Sequence, residues 1–382
     1  MKLSCTQENL NRGLLISSHI ASKNVNLPIL NNVLFRAEGG VITLVATNLE
    51  IGIKCEVRGK IEKEGSVALP AKLFADYLGS LPNDKIDLDL QDQTMEVRCK
   101  NYETRIRGAA TSEFPLIPEV AKEGGYSLDV GKFREAVNQV VFATSTNEIR
   151  PEISGILMHF DGAGMKVVIA ATDSYRLAEK TLDLAGKENE NSRDVIVPAR
   201  TMQEVLRILS VFRESEDPEA PNLVKIYLAE NQIMFSLNGV DLVSRVIDGQ
   251  YPDYKQIIPA SYETRAAFNR NELIKVVKTA SLFAKPGIFD VTFSLKPGSE
   301  KAGELVLSSA NSQFGENTVK LGVEVEGKEN EITLNYRYLL DGLGAMESEE
   351  VALELTSGEN PCLLRPKIEK ADYLYIVMPI KK

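Results

Sequence analysis

The side chains of this chain best suited to chemistry are two histidines, one Asp-x-Asp pair and one aspartate in a turn. His19 and His159 could ligate a metal or move a proton. They fall on separate elements, an amphipathic helix and a strand, and structural roles fit them better. Asp87 and Asp89 have the spacing of a metal-binding pair. In Ile86-Asp87-Leu88-Asp89-Leu90 both carboxylates alternate onto one strand face, which reads as a solvent face. Asp173 could serve as a general base. It lies in Ala171-Thr172-Asp173-Ser174-Tyr175-Arg176-Leu177-Ala178, after the apolar run 166–170, and there it reads as a turn former. The sequence has no His-Glu-x-x-His, Gly-x-Ser-x-Gly, phosphate-loop or dinucleotide glycine pattern. No catalytic residue, metal or cofactor is expected, and a binding or scaffold role is. What remains is the Arg176-Leu177 step, an exposed arginine beside an apolar strand, which could begin a pocket.

The elements that position this step recur. An amphipathic helix opens each third of the chain, at 8–23, 129–146 and 269–285, with apolar residues three and four apart. A strand then ends in Ala-Thr-Asn48, Ala-Thr-Asp173 and Ser-Ala-Asn311. A second strand runs straight into a helix at Pro70-Ala71-Lys72, Pro198-Ala199-Arg200 and Asn335-Tyr336-Arg337. The two prolines suit a first helical turn, where no N–H partner is needed. Each third closes on an apolar or aromatic residue before proline: Phe114-Pro115, Tyr251-Pro252 and Met378-Pro379. Lys72 to Arg200 spans 128 residues and Arg200 to Arg337 spans 137, so the repeat is a domain rather than a solenoid unit. Short alternating strands fill the gaps, at 85–90, 94–99, 223–228, 232–237 and 350–355. The expected fold class is α+β, in three domains at 1–122, 123–260 and 261–382, with 187–193 a solvated loop.

Composition bounds the function. The 382 residues are too many for one ordinary core. At 43% apolar and 26% charged, with no run long enough to span a membrane and no signal peptide, a cytoplasmic protein without a membrane partner is expected. The scattered Cys5, Cys55, Cys99 and Cys362 read as buried reduced thiols. Net charge is −10, against a protein that grips nucleic acid over its whole surface. The charge is uneven, however. The six helical windows hold thirteen basic and eight acidic residues, which leaves the acidic excess to the rest. If the helices share one side of the sheets, that side would attract phosphate without reading bases. The alternative is an acidic scaffold of repeated domains that never meets DNA.

These landmarks, in this order and at this length, resemble the bacterial DNA polymerase III beta subunit, the sliding clamp. The pieces that match are 27–34 (Leu-Pro-Ile-Leu-Asn-Asn-Val-Leu), 46–50, Pro70-Ala71-Lys72, Phe114-Pro115, 171–178, 195–200, 246–254 and 375–380. Asn48 stands where that family usually has Asp, and Lys381-Lys382 end a chain that commonly ends in Arg and an apolar residue. The resemblance implies the DNA clamp fold: two chains head to tail as a closed ring, helices lining the hole, sheets outside. It implies a processivity factor that encircles duplex DNA without sequence preference. It would tether the replicative polymerase subunit, the clamp loader and repair proteins through short linear motifs. Matching motifs carry the pocket onto Arg150, Ile153, Thr172, Tyr175, Arg176, Leu177, Pro252, Ile257, Asn335, Tyr338, Ile376, Val377, Met378 and Pro379. Leu177, Pro252, Ile257, Ile376 and Pro379 would form an apolar slot, Met378 would adapt to ligands, and Arg176 would engage a peptide carbonyl or carboxylate. Val377 reads better as core. Lys23, Lys72, Arg134, Arg200, Arg207, Lys275, Lys278 and Arg337 would face DNA, and Ile106 would meet Leu282 and Phe283 at the homodimer interface.

Overall fold

The computed structural model describes residues 1–21, 26–147, 149–186, 189–212, 222–299, 302–368 and 370–381. The chain runs through one plan three times. The first repeat contains β1 (Lys2–Thr6), α1 (Gln7–Ser17), β2 (Asn32–Glu38), β3 (Val41–Thr47), β4 (Ile51–Val57), β5 (Gly59–Lys63), β6 (Gly65–Pro70), α2 (Ala71–Ser80), β7 (Lys85–Gln91), β8 (Thr94–Cys99) and β9 (Tyr102–Arg107). The second contains β10 (Tyr126–Asp129), α3 (Val130–Val140), β11 (Gly155–Asp161), β12 (Lys166–Thr172), β13 (Arg176–Asp183), β14 (Ser192–Pro198), α4 (Ala199–Val211), β15 (Leu223–Leu228), β16 (Gln232–Leu237) and β17 (Val240–Arg245). The third contains β18 (Thr264–Asn269), α5 (Arg270–Ser281), β19 (Asp290–Pro297), β20 (Ala302–Asn311), β21 (Gly315–Gly327), β22 (Asn330–Asn335), α6 (Tyr336–Ala345), β23 (Glu350–Leu355), β24 (Cys362–Pro366) and β25 (Tyr373–Val377).

Helix starts follow local chemistry. Thr6 caps α1 by accepting from Asn9 N, and Asn269 caps α5 by accepting from Asn271 N and Glu272 N. Pro70 stands one place earlier than expected. It is the last residue of β6 and the cap before α2, and no side chain bonds across it. Alternation sets the strands. In β7, Ile86 and Leu88 are buried while Asp87 is exposed and paired with Lys85 at 2.7 Å and Asp89 is half-buried, so the two carboxylates lie on the face opposite the core. The helix at 8–23 is shorter than its apolar pattern suggested, and α1 stops at Ser17. All four cysteines are free and buried, and burial pushes the Cys5 and Cys55 thiols up to about 12.

Packing does not follow the repeats. Residues 1–131, 184–190 and 200–246 form one compact unit, and 132–183, 191–199 and 247–382 form the other. The strand order explains this. One sheet, β5-β1-β7-β8-β9, belongs to the first repeat alone. The eight-stranded sheet, β10-β15-β16-β17-β4-β3-β2-β6, joins half of the second repeat to the first through β17 against β4. The twelve-stranded sheet, β14-β11-β12-β13-β25-β24-β23-β18-β21-β20-β19-β22, joins the other half to the third through β25 against β13. Each junction therefore buries a strand edge that would otherwise be open. No helix among the described residues is long and apolar enough to cross a membrane, and none of them form a cluster suited to a metal ion.

Candidate functional site

The turn between β12 and β13 is built by its own side chains. Thr172 Oγ1 donates to Arg176 O at 2.6 Å and accepts from Ser174 N at 3.1 Å. Asp173 Oδ1 accepts from Tyr175 N at 2.9 Å and Arg176 N at 3.0 Å. This holds Ser174 at a φ of 76°, in the left-handed region. The turn between β3 and β4 repeats the arrangement. Thr47 Oγ1 donates to Ile51 O and accepts from Leu49 N, Asn48 Oδ1 accepts from Glu50 N and Ile51 N, and Leu49 has a φ of 77°. Asp173 is thus a turn former rather than a base. At the third copy only Asn311 Oδ1 with Gln313 N persists, and Asn311 Nδ2 donates to Ala284 O.

Arg176 is the centre of the site, with a role the sequence did not give it. Its side chain is only 12% exposed. Nε donates to Asp173 Oδ2 at 2.9 Å, NH1 to Asp341 Oδ2 at 2.5 Å and NH2 to Phe142 O at 2.8 Å. The guanidinium also lies over the Tyr338 ring at 4.7 Å and the Phe142 ring at 5.3 Å. Burial works against its charge, but Tyr375, Asp341 and Asp173 more than offset this and raise its pKa. In this structure its partners are all within the chain. Arg176 braces the turn against α6 and the segment after α3, and three of its nitrogens are already bound. Asp341 and Phe142 were missed as its partners. A signal for Asp341 exists, because a basic residue is followed four positions later by an acid in Lys72/Asp76, Arg200/Glu204 and Arg337/Asp341.

The residues expected to form a pocket gather around this brace. Tyr175 is 63% exposed and stacks on Tyr338 with centroids 6.4 Å apart. Met378 N donates to Tyr175 O, and Ile380 N donates to Thr333 O, so the tail carrying Met378 and Pro379 is tied at both ends. Leu177 and Ile376 face each other across β13 and β25 and are fully buried, packed with Tyr251 and Tyr254. Both are core residues of this junction. Pro252, Met378 and Pro379 are half-buried, and Ile257 is exposed. Ile153, Thr172 and Val377 are buried. Arg150 donates to Glu152 and to Ser174 Oγ at the rim. Asn335 caps α6 by accepting from Arg337 N.

The residues expected to face DNA divide. Lys72, Arg200, Lys275, Lys278 and Arg337 are exposed and Arg134 is half-buried. Arg207 is tied into the fold. NH1 and NH2 donate to Leu15 O and Ile16 O at the end of α1, and Nε donates to Glu204 Oε2 at 2.9 Å. It satisfies helix-end carbonyls that α1 leaves open. Lys23 lies outside the described residues, as do Lys187 and Glu188 of the expected loop, and Lys382. The two histidines have structural partners, His19 with Glu204 at 2.6 Å and His159 with Asp194 at 2.5 Å. At the expected interface, Leu282 is 73% exposed and Phe283 half-buried, but Ile106 is 5% exposed and packs within its own repeat.

Models of three domains match the chain in order: the DNA polymerase III beta subunit N-terminal domain over residues 1–118, its central domain over 127–253 and its C-terminal domain over 255–381. The chain is 30% identical over 387 residues to the beta sliding clamp of Synechococcus elongatus, covering 100% of this chain and 99% of that one. It is similar in structure to the DNA polymerase III beta subunit of Thermotoga maritima, with a TM-score of 0.88 and 27% identity over 100% of this chain and 99% of that one. The DNA polymerase sliding clamp of Bacillus subtilis matches with a TM-score of 0.90 and 25% identity, again over 100% and 99%.

Proposed function

The chain belongs to the DNA polymerase III beta-subunit family and is a DNA sliding clamp without catalysis of its own; from that premise we propose that two copies close head to tail around duplex DNA. The repeats would be the domains 1–122, 123–260 and 261–382, a division supported by the spans of the family models. One observation carries the closure. The strand that ends each half-sheet meets the next repeat in two cases, β17 against β4 and β25 against β13. The equivalent strand of the first repeat, β9, is the last of its sheet and, among the described residues, has β8 on one side only. The equivalent acceptor of the third repeat is β21. Its residues 324–327 meet β18, while 315–323 pair only with β20 among the described residues. The two open edges belong together, β9 of one copy beside β21 of another.

The register follows from the first junction, where Val240 faces Cys55 and Ser244 faces Ile51. Carried across the repeat, Tyr102 would face Val319 of the second copy and Ile106 would face its Gly315. Ile106 would then contribute edge backbone rather than its side chain. Leu282 and Phe283 adjoin the same place, since Asn311 just before β21 is bonded to Ala284 O. The exposed helix cations Lys72, Arg200, Lys275, Lys278 and Arg337, with Arg134, would meet phosphate, and Lys23 is carried with them on the resemblance alone. A ring is retained by topology, so contacts weak enough to slide suffice, and a net charge of −10 is compatible with DNA binding.

The slot over Leu177 and Ile376, walled by Pro252, Ile257, Met378 and Pro379, would take the apolar anchors of short motifs in the replicative polymerase subunit, the clamp loader and repair proteins. Such a protein would work in the cytoplasm. The test is retention on nicked circular DNA after addition of a clamp loader, and loss when that DNA is cut. Failure to stay on the circle, or a solution mass of one chain, defeats the ring. Met378→Ala should weaken binding of a Leu/Phe-anchored peptide about fivefold, roughly 1 kcal/mol, with the dimer intact. Unchanged affinity defeats the pocket.

A further inference from the structure

The first junction contains a second copy of the groove, and its floor is altered at one residue. Gly52 faces Thr47 across the turn and Val243 across the junction, as Leu177 faces Thr172 and Ile376. Gly52 and Leu177 therefore occupy the same place on two corners built by the same hydrogen bonds. The space that a side chain would take at Gly52 is already filled. A Cβ there would lie 2.7–2.9 Å from three side-chain carbons of Ile117. Ile117 comes from the strap that links the first two repeats. The strap is pinned on both sides, by Phe114 among Leu34 and Ala68, and by Val120 among Tyr227, Met234 and Val243. Pro115 and Pro118 flank Ile117 and stiffen the segment between the pins. A groove of about 340 Å³ remains beside it, bounded by Leu49, Ile51, Pro115, Ile117, Val243 and Arg245.

We propose that Ile117 is a chain-borne stand-in for the apolar anchor of a docking motif, and that it closes the first-junction copy of the groove to partners. The inference rests on the pocket reading given above for the Asp173 corner. It accounts for a chain that repeats the corner and yet offers one site. Leu177 makes a complete floor that an external anchor can cover. Gly52 leaves a notch that the chain's own strap occupies, and the strap's two pins keep Ile117 at an effective concentration a free peptide cannot match. The latent site would take the same class of ligand, an extended peptide with a branched apolar or aromatic anchor.

The test counts bound peptides per chain by titration with a fluorescent peptide carrying Leu and Phe anchors. The expected count is one for the native protein and two for Ile117→Ala. Ile117→Thr, branched but polar, is read alongside, with thermal melts showing that each variant is folded. A count of one in both folded Ile117 variants overturns the proposal, and so does a count of two in the native protein. A count of zero in the native protein and one in Ile117→Ala would sustain the plug while defeating the pocket at the Asp173 corner. Zero throughout defeats both.

Discussion

At the Asn48 corner the cation that ties the junction together comes from a helix. Arg207 of α4 reaches the end of α1 and binds Glu204, which in turn holds His19. At the Asp173 corner the cation comes from the turn itself, and Arg176 reaches Asp341 of α6 and the carbonyl of Phe142. Glu204 and Asp341 hold the same place in their helices, four residues after Arg200 and Arg337. The acid is constant and the arginine changes sides. The consequence is functional. In the first junction, turn and brace are separate objects. In the second, one residue closes the turn, braces the junction and abuts the proposed pocket, so binding at that pocket would be coupled to junction order.

The largest expected effect is therefore at Arg176. Arg176→Ala leaves Asp173, Asp341 and the Phe142 carbonyl without their shared cation. Breaking this partly buried network should cost about 3 kcal/mol of stability by urea melting and abolish measurable peptide binding. If stability falls and peptide affinity does not, the coupling is wrong. Arg207→Ala should cost less, about 2 kcal/mol, because His19 still attends Glu204 and water can reach the freed carbonyls. Its peptide affinity should be native. So should the salt slope of its DNA affinity, since its guanidinium is committed to α1. A shallower slope would return Arg207 to the DNA-facing set.

Exposed cations provide the contrast to these braces. Lys72→Ala, Arg200→Ala and Lys275→Ala together should leave the melting midpoint within about 0.5 kcal/mol of native. They should lower the slope of log affinity against log salt by about 0.9 for each phosphate no longer neutralised. An unchanged slope would mean that these three residues do not meet DNA, and the helices would lose their proposed role.

Much of this was legible in the sequence, for a physical reason. Helices and strands were placed by local pattern: the three- and four-residue apolar spacing of the helices, the alternation in β7, and turn chemistry at Asp173 all act within a few residues. Partner choice across the fold was not legible. Arg176 read as an exposed pocket residue and Arg207 as a DNA-facing cation, yet partners of theirs lie 165 and 192 residues away. Burial of Leu177, Ile376 and Ile106 was hidden in the same way, because an apolar residue at a pocket and one in a core have the same local pattern. The faint repeat was the exception. It aligns Gly52 with Leu177 and Glu204 with Asp341, and so it carries long-range information that periodicity alone lacks.

The smallest predicted effect probes the turns themselves. Leu49 and Ser174 share a φ near 77°, where a side chain is strained, by about 1–2 kcal/mol for leucine. Replacement by glycine removes that strain and adds about 0.5–1 kcal/mol of unfolded-state entropy, which opposes it. Leu49 is 53% exposed, so little packing is removed and Leu49→Gly should stabilise by roughly 0.5 kcal/mol. Ser174 differs because its Oγ accepts from Arg150 NH1 at 3.2 Å. Ser174→Gly forfeits that hydrogen bond and should be neutral to slightly destabilising. The ordering is measured by paired urea melts. If Ser174→Gly is the more stabilising of the two, the corners are not equivalent in backbone strain, and the alignment of Gly52 with Leu177 loses part of its support.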